Sequence, residues 1–92
     1  MSSIGSHKTA IYHDGDYQVV QFHYTNVVKF NDYEIILNTG GWKTATTKRR
    51  MNQAAEQFGL DFRVYQKDFD WFVDYKNQTL KLDSGIILTR KE

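Results

Sequence analysis

One segment with helical periodicity, flanked on both sides by alternating segments, constrains the fold of this chain most. Met51, Ala54, Ala55 and Phe58 follow the i, i+3, i+4, i+7 spacing of a single apolar helix face. Before and after them, apolar and polar residues alternate with the period of two that is typical of half-buried strands. A helix of about twelve residues is marginal by itself, so it must pack its apolar face on the sheet. Strands, one helix and further strands together predict an α+β fold.

Short polar turns join the predicted strands, and such turns predict antiparallel hairpins. We expect an antiparallel, strongly twisted sheet of about six or seven short strands, with a single α-helix packed on one face. Val20, Phe22 and Tyr24 are expected to share one strand face, and Trp71 is expected in the core. The expected turns are Asp14-Gly15, Asn31-Asp32, Lys67-Asp68, Asn77-Gln78 and Asp83-Ser84-Gly85.

The helix has recognisable signals at both ends. Thr46 or Thr47 is expected to cap its N-terminus, because a threonine oxygen accepts a hydrogen bond from a free N–H group of the first turn. Gly59 is expected to end the helix in the left-handed conformation, with Leu60 as the apolar contact that follows. The face opposite the apolar one is rich in amide side chains, among them Asn52, Gln53 and Gln57, and we expect it to meet solvent or a partner.

Length and composition limit the classes of function that the chain can have. The 92 residues indicate one domain, with a flexible leader over residues 1–8 and a single α+β domain over residues 9–92. Cysteine is absent, which excludes disulfides, thiolate zinc sites and a cysteine nucleophile and agrees with a reducing cytoplasm. No apolar run approaches the ~18–20 residues that span a bilayer, so we expect no membrane partner. The net charge of +1 means that any attraction to nucleic acid must come from a local patch.

The segment from Asn38 to Arg50 is the strongest candidate for such a patch. A glycine pair leads into a hydroxyl-rich stretch, and Lys48, Arg49 and Arg50 are expected in the first helical turn. Cations are unfavourable there, because the helix N-terminus already carries about half a positive charge. We therefore expect a site for an anion. The candidate residues for nucleic-acid or anion binding are Gly40, Gly41, Trp42, Lys43, Thr46, Thr47, Lys48, Arg49 and Arg50.

Each residue type in this candidate site has a role and an alternative. Gly40 and Gly41 would let the backbone approach a ligand, hydroxyl groups would donate, and the cations would contact phosphates. Trp42 either stacks on a base or plugs the glycine turn. The spacing is not that of a Walker A motif. In the alternative interpretation, this is a solvated basic face that nearby carboxylates neutralise.

An acidic hairpin provides those carboxylates and a second candidate surface. Asp68, Asp70, Phe72 and Asp74 are the candidates for protein interaction, since Asp70 and Asp74 share a strand face with Phe72 between them. The same carboxylates would also keep an exposed strand soluble.

The histidines offer weaker chemistry. His13 and His23 could face each other across a hairpin and hold a metal with Asp14 or Asp16, but the spacing matches no ligand motif. No nucleophile, base and acid occur in a catalytic arrangement, so we predict a protein that is not an enzyme and uses no metal and no cofactor. A pocket that joins either histidine to Asp14, Asp16 or Asp70 would favour the enzyme hypothesis.

Several runs resemble small proteins encoded by tailed bacteriophages. These are TGGWKTATTKRRMNQ at residues 39–53, QFGL at 57–60, VYQK at 64–67 and WFVDY at 71–75. The resemblance covers about residues 27–82. It implies a viral origin and a setting in the host cytoplasm, and it implies no activity.

Three functional hypotheses follow. The first is a small binding module that engages nucleic acid through the glycine-tryptophan loop and the basic helix start. The second is a protein-binding inhibitor or modulator of a host factor, for example an anti-defence protein, that uses the acidic hairpin. The third is a structural homo-oligomer in which exposed strands pair across a two-fold axis.

Overall fold

The computed structural model describes residues 8–41 and 43–91, which form eight antiparallel strands and one helix. The α+β class and the antiparallel pairing are confirmed, and the strand count is slightly above the six or seven expected. In chain order the elements are β1 (Thr9–Asp14), β2 (Tyr17–Phe22), β3 (Thr25–Phe30), β4 (Glu34–Asn38), α1 (Ala45–Phe58), β5 (Phe62–Lys67), β6 (Asp70–Tyr75), β7 (Gln78–Lys81) and β8 (Gly85–Thr89).

The strands form two sheets where the sequence predicts one. A five-stranded sheet has the order β1-β2-β3-β4-β8, and a three-stranded sheet has the order β5-β6-β7. The last strand returns to the first sheet, so β5, β6 and β7 form a separate meander. Helix α1 connects the two sheets in sequence and contacts β5, β3 and β2. The helix therefore packs between elements of both sheets.

One apolar cluster joins the helix to both sheets, and the predicted helix face lies inside it. Met51 and Ala54 are fully buried, Ala55 is nearly so, and Phe58 packs at the margin of the cluster. Trp71 is 2 % exposed, which confirms its predicted place in the core. Burial at these positions follows the periodicity of the sequence, because a single apolar face has to contact the sheets.

Both ends of α1 are capped, but the N-terminal cap is earlier than predicted. Thr44 caps the helix, since its Oγ1 accepts a hydrogen bond from the Thr47 N–H at 3.2 Å. The expectation of Thr46 or Thr47 as the cap is wrong. Gly59 adopts the predicted left-handed conformation with φ 64°, and the Leu60 N–H donates to the Ala55 carbonyl at 2.9 Å.

The turn between β5 and β6 differs from the sequence prediction by one residue. Asp68 and Phe69 form it, with φ of 52° and 70°, and Lys67 is opposite Asp70. The predicted turn, Lys67-Asp68, would have left Phe69 in the strand. Instead Phe69 is 93 % exposed at the tip of the hairpin.

Three other turns also shift. Gly15 and Asp16 form the β1–β2 turn in place of Asp14-Gly15, since Asp14 is opposite Tyr17. Lys76 and Asn77 form the β6–β7 turn in place of Asn77-Gln78, and both have positive φ. Asn31 begins a longer loop between β3 and β4, because its Oδ1 accepts hydrogen bonds from the backbone N–H groups of Tyr33 and Glu34. Backbone capping by the asparagine side chain therefore replaces a two-residue turn.

A bulge and a tight turn shape the ends of β2 and β3. Val20 is opposite Val28 but Gln21 is opposite Asn26, so Val27 is an extra residue in β3 and is buried beside Val28. The strand β2 ends at Phe22, and the chain turns at His23, where φ is 56°. Tyr24 therefore leaves the predicted strand face.

A hydrogen bond on the outer face of the five-stranded sheet predicts a pH effect. The Tyr17 hydroxyl donates to Glu34 Oε2 at 2.6 Å, and this bond raises the pKa of Tyr17 above its ordinary value of 10.0. The bond requires the protonated phenol, so its stabilisation is fully present below pH 10.0 and is lost as the pH rises through the higher folded-state pKa. In an absorbance titration at 295 nm, we expect Tyr17→Phe to remove a late-ionising component. If the component that Tyr17→Phe removes ionises at the ordinary pKa of tyrosine, that result contradicts the bond.

Candidate anion-binding cleft at the start of the helix

A cleft of about 500 Å³ lies where α1 begins. It is bounded by the β2–β3 turn, the start of β3 and the residues around the helix cap. Its lining residues are Phe22, His23, Tyr24, Thr25, Val27, Thr39, Thr44, Thr46 and Thr47. Five of the nine are threonines and none is acidic, so hydroxyl groups dominate the polar part of the lining.

The threonine hydroxyl groups fall into two sets. Thr44 and Thr47 bond to each other, with their Oγ1 atoms 3.1 Å apart, and Thr39 donates from its hydroxyl to the Ser84 carbonyl at 3.2 Å. The hydroxyl groups of Thr25 and Thr46 have no hydrogen-bond partner among residues 8–41 and 43–91. The hydroxyls of the first set are bonded within the protein, and those of the second are available to a ligand.

The cleft receives the positive end of the helix dipole. The first N–H groups of any α-helix lack an intrahelical partner and point beyond its N-terminus. Thr44 satisfies only one of these groups, that of Thr47. The first turn contains no acidic residue. This environment favours an anion over a cation.

Tyr24 is the residue whose position differs from the strand pattern and matters most to the site. Its side chain is 98 % exposed and lines the cleft, whereas the alternation predicts a place on the core face. The neighbouring ring of His23 packs edge-on against Phe22, with centroids 4.4 Å apart. The signal that would have found Tyr24 is the interruption of the strand pattern just after it, at Thr25-Asn26.

Arg50 has a structural position that differs from the predicted one. It lies in the second helical turn rather than the first, and it is only 6 % exposed. Its Nε donates to Thr9 Oγ1 at 2.9 Å, its Nη1 donates to Gln53 Oε1 at 3.1 Å, and its guanidinium carbon is 5.7 Å from the centre of the Phe22 ring. Arg50 thus fixes α1 to the β1–β2 hairpin and leaves no open face for a phosphate backbone.

The other cations of the predicted site differ in their surroundings and exposure. Lys48 is half-buried, and its Nζ lies 5.8 Å from the centre of the Trp71 ring, toward the three-stranded sheet. Arg49 and Lys43 are exposed. Arg49 is three residues after Thr46, so the two share one side of the helix. Lys43 and Arg49 therefore remain the exposed cations nearest in sequence to the residues that line the cleft. The predicted stacking residue, Trp42, lies outside the described residues.

The two glycines before the helix differ in their surroundings. Both have positive φ, 62° at Gly40 and 83° at Gly41. A Cβ atom at Gly40 would meet the side chain of Thr25, whereas one at Gly41 would meet nothing within 4 Å. Gly40 is thus packed against the cleft wall, and Gly41 leaves open space beside it.

The acidic hairpin engages groups of its own sheet. Asp70 lies 3.9 Å from the Lys81 ammonium, and Asp74 accepts hydrogen bonds from the hydroxyls of Thr79 at 2.8 Å and Tyr65 at 3.2 Å. Phe72 stacks on Tyr65, with centroids 5.8 Å apart, and Asp68 is exposed in the turn. In these described contacts, Asp70 and Asp74 do not neutralise the cations of α1.

The histidines do not form the predicted pair. His13 is opposite Gln18, and the His23 N–H donates to the Lys8 carbonyl at 2.8 Å, so they lie at opposite ends of the β1–β2 hairpin. His13 and Asp16 share the lining of a separate cleft of about 190 Å³, as the enzyme hypothesis requires, but no hydrogen bond joins their side chains within the described ranges. The described part of the chain contains no group of three or more acidic or histidine residues that could hold a metal ion.

Comparison with known proteins identifies a phage family. The model of the family described as Kyanoviridae Gp96 protein matches residues 1–89, which confirms the resemblance to small phage proteins. No curated protein and no solved structure matches the chain. The helix in the described ranges, α1, is not long and apolar enough to cross a membrane.

Proposed function

The chain belongs to the Kyanoviridae Gp96 family of phage proteins, and we propose that it is a small non-enzymatic binding module that engages single-stranded nucleic acid in the host cytoplasm. The cleft at the helix start receives a phosphate, and the Tyr24 ring stacks on a neighbouring base. The observation that carries this proposal is the presence of an almost fully exposed tyrosine beside a hydroxyl-lined cleft with no acidic residue in its lining.

The polar part of the cleft fits a phosphate group. Free N–H groups at the start of α1 and the unpartnered hydroxyls of Thr25 and Thr46 are the donors that phosphate oxygens accept from. Lys43 and Arg49 are exposed beside the residues that line the cleft, and they add charge without an ion pair among the described residues. Because the net charge is only +1, this local arrangement has to supply the attraction.

The aromatic part of the cleft favours an unpaired base. A tyrosine that is 98 % exposed contributes almost nothing to the core, and its ring is accessible for stacking. Bases in a duplex are already stacked on their neighbours, so single strands offer a free base face to Tyr24 more readily than double strands do.

Removal of the Tyr24 ring is expected to weaken binding of single strands about tenfold, because stacking on one aromatic ring contributes roughly 1–3 kcal/mol per base. The measurement is fluorescence anisotropy of labelled single- and double-stranded oligonucleotides at low and moderate salt, with wild type and Tyr24→Ala. Tyr33→Ala is the matched control, since Tyr33 is also exposed but lies at the far end of β3. Wild type that fails to bind any oligonucleotide at low salt contradicts the proposal.

Removal of the two exposed charges is expected to change the salt dependence of binding. The double variant Lys43→Gln/Arg49→Gln should reduce the slope of log affinity against log salt by about 1.4, because each phosphate contact to a single strand contributes about 0.7. Lys91→Gln is the control, since Lys91 is exposed and its N–H donates to the Tyr33 carbonyl, away from the cleft. Equal slopes for both variants would mean that the charges are not phosphate contacts.

The exposed Phe69 supports a second candidate function, that of a protein-binding modulator of a host factor. Phe69 is 93 % exposed between Asp68 and Asp70 at the tip of the β5–β6 hairpin, where a partner could bury its ring. We expect wild type, but not Phe69→Ala, to retain a stoichiometric host protein in an affinity capture. Identical captures with the two proteins would remove this candidate.

A further inference from the structure

The tip of the β5–β6 hairpin carries an exposed ring in a backbone conformation that is unfavourable for it. Asp68 and Phe69 form the two-residue turn, and both have positive φ. Glycine is common at the second position of such turns, whereas phenylalanine seldom adopts positive φ. The Phe69 ring is 93 % exposed, and the Asp68 side chain has no hydrogen bond or ion pair in the described part of the chain. The tip therefore combines an apolar group and a carboxylate that have no partner within the fold.

The cleft at the helix start is complementary to this tip. Its volume of about 500 Å³ lies within the range of pockets that enclose small ligands. Phe22, Tyr24 and Val27 provide apolar walls for a ring, and the hydroxyls of Thr25 and Thr46 are donors without a hydrogen-bond partner in the described ranges. None of the described residues that line the cleft is acidic. The cleft can therefore accept a carboxylate together with an apolar ring.

The tip and the cleft lie at the same end of the molecule. Lys48 is in the first turn of α1, and its Nζ is 5.8 Å from the centre of the Trp71 ring. Trp71 follows Phe69 by two residues, so the hairpin tip lies at the end of the molecule where α1 begins. Because Phe69 is exposed, its ring does not fill the cleft of its own chain. A tip and a cleft at one end allow a two-fold arrangement, in which each copy gives its tip to the other and receives one in return.

We propose that two copies of this protein form a symmetric dimer in which the Asp68-Phe69 tip of each copy occupies the cleft of the other. The Phe69 ring packs on the apolar walls, and the Asp68 carboxylate accepts hydrogen bonds from the hydroxyls and the free N–H groups at the helix start. The dimer fills the cleft that we assign to single-stranded nucleic acid, so the tip and the nucleic acid exclude each other. Only this exclusion rests on the proposed function, and the dimer itself does not.

Analytical ultracentrifugation from about 1 µM to about 1 mM is expected to show a monomer–dimer equilibrium for wild type. Phe69→Gly should raise the dissociation constant at least about tenfold, because burial of the ring is lost while the turn gains a residue suited to positive φ. Asn77→Gly is the matched control and should leave the equilibrium unchanged, since Asn77 is the second residue of the β6–β7 turn and also has positive φ. Wild type that stays monomeric throughout, or a dimer that Phe69→Gly does not weaken, overturns the proposal. The purified protein contains no host factor, so this measurement is separate from the affinity capture.

Charge exchange tests whether the tip meets the cleft. Thr46→Glu adds a carboxylate to the cleft that repels Asp68, and a carboxylate in the first helical turn favours the helix, so this variant should fold but dimerise about tenfold more weakly. Asp68→Lys should also weaken the dimer about tenfold, because it brings a cation to the helix start. Lysine fits this turn position, since Lys76 occupies the same position in the β6–β7 turn. The double variant Thr46→Glu/Asp68→Lys pairs opposite charges at both contacts and should recover most of the lost affinity. A double variant that associates no more tightly than either single variant overturns the contact.

Competition connects the dimer to the cleft. A saturating single-stranded oligonucleotide should convert the wild-type dimer to monomers, each with one bound strand. A dimer that persists with the oligonucleotide bound would show that the dimer does not use the cleft. If no oligonucleotide binds, the proposed function fails, and the charge exchange alone decides the dimer.

Discussion

Asn52→Ala is expected to lower the free energy of unfolding by about 2–4 kcal/mol, since each buried backbone group left without a partner costs roughly 1–3 kcal/mol. The Asn52 Nδ2 donates to the Val64 carbonyl at 2.8 Å, and its Oδ1 accepts from the Val64 N–H, also at 2.8 Å. Val64 is 1 % exposed, so water reaches neither group easily once the amide is removed. The higher helix propensity of alanine offsets only about 0.5 kcal/mol of this loss.

The strand β5 needs this side chain because of the turn that follows it. Asp68 and Phe69 form a two-residue turn, so Lys67 and Asp70 exchange hydrogen bonds, and the odd-numbered residues of β5 bond to β6. The backbone groups of Val64 then point away from β6 and toward α1. Asn52 replaces the strand that is missing on this side of the three-stranded sheet, and it fixes the position of the helix on that sheet.

Urea unfolding measures this effect, with Arg49→Ala as a control on the same helix. Arg49 is exposed and has no hydrogen bond, ion pair or ring contact among the described residues, so its replacement should change stability by less than about 0.5 kcal/mol. Asn52→Asp keeps the acceptor but removes the donor, and its carboxylate lies against the Val64 carbonyl. Its destabilisation relative to wild type should shrink at acid pH, where the protonated carboxyl can donate. An Asn52→Ala protein as stable as the Arg49→Ala protein would show that the two bonds contribute nothing.

Local patterns in the sequence predicted those parts of the fold that neighbouring residues determine. The apolar face of α1, the left-handed Gly59 and the burial of Trp71 depend on spacing within one element, and each is confirmed. The strand faces of β6 were also predicted, since alternation within the strand determines them regardless of where the preceding turn lies. The turn positions were not, because Phe69 and Lys76 adopt positive φ, which their residue types seldom do.

The candidate site required information that no local pattern contains. Arg50 was predicted to be an exposed phosphate contact, but its partner Thr9 is 41 residues away in sequence. Asn52 was grouped with the exposed polar face, although its partner is on a strand whose edge orientation depends on a later turn. The exposed position of Tyr24 depends on the turn at His23. The glycines, threonines and exposed cations at the helix start were identified from the residue types of that segment alone. Their role in binding stays a prediction.

Gly40→Ala is expected to destabilise the protein by about 2–4 kcal/mol, whereas Gly41→Ala should cost about 1–2 kcal/mol, the penalty for placing an L-residue in the left-handed region. Both glycines have positive φ, so both substitutions carry that strain. Only at Gly40 would the new Cβ lie 2.8 Å from Thr25 Cγ2 and 3.1 Å from Thr25 Cβ, with Thr25 Oγ1 also in contact. The difference between the two variants therefore measures the packing of the loop against the cleft wall.

A double-mutant cycle with Thr25→Ala isolates that packing. Loss of Oγ1 and Cγ2 removes the two closest atoms, so Gly40→Ala should cost about 1–2 kcal/mol less in this background, while the cost of Gly41→Ala should not change. Thermal or urea unfolding of the six proteins gives both coupling energies. Because Thr25 lines the cleft and its hydroxyl has no hydrogen-bond partner in the described part of the chain, the shift that Gly40→Ala forces on it should also weaken oligonucleotide binding more than Gly41→Ala does. Equal effects of the two alanines on stability would show that Gly40 is not packed on Thr25.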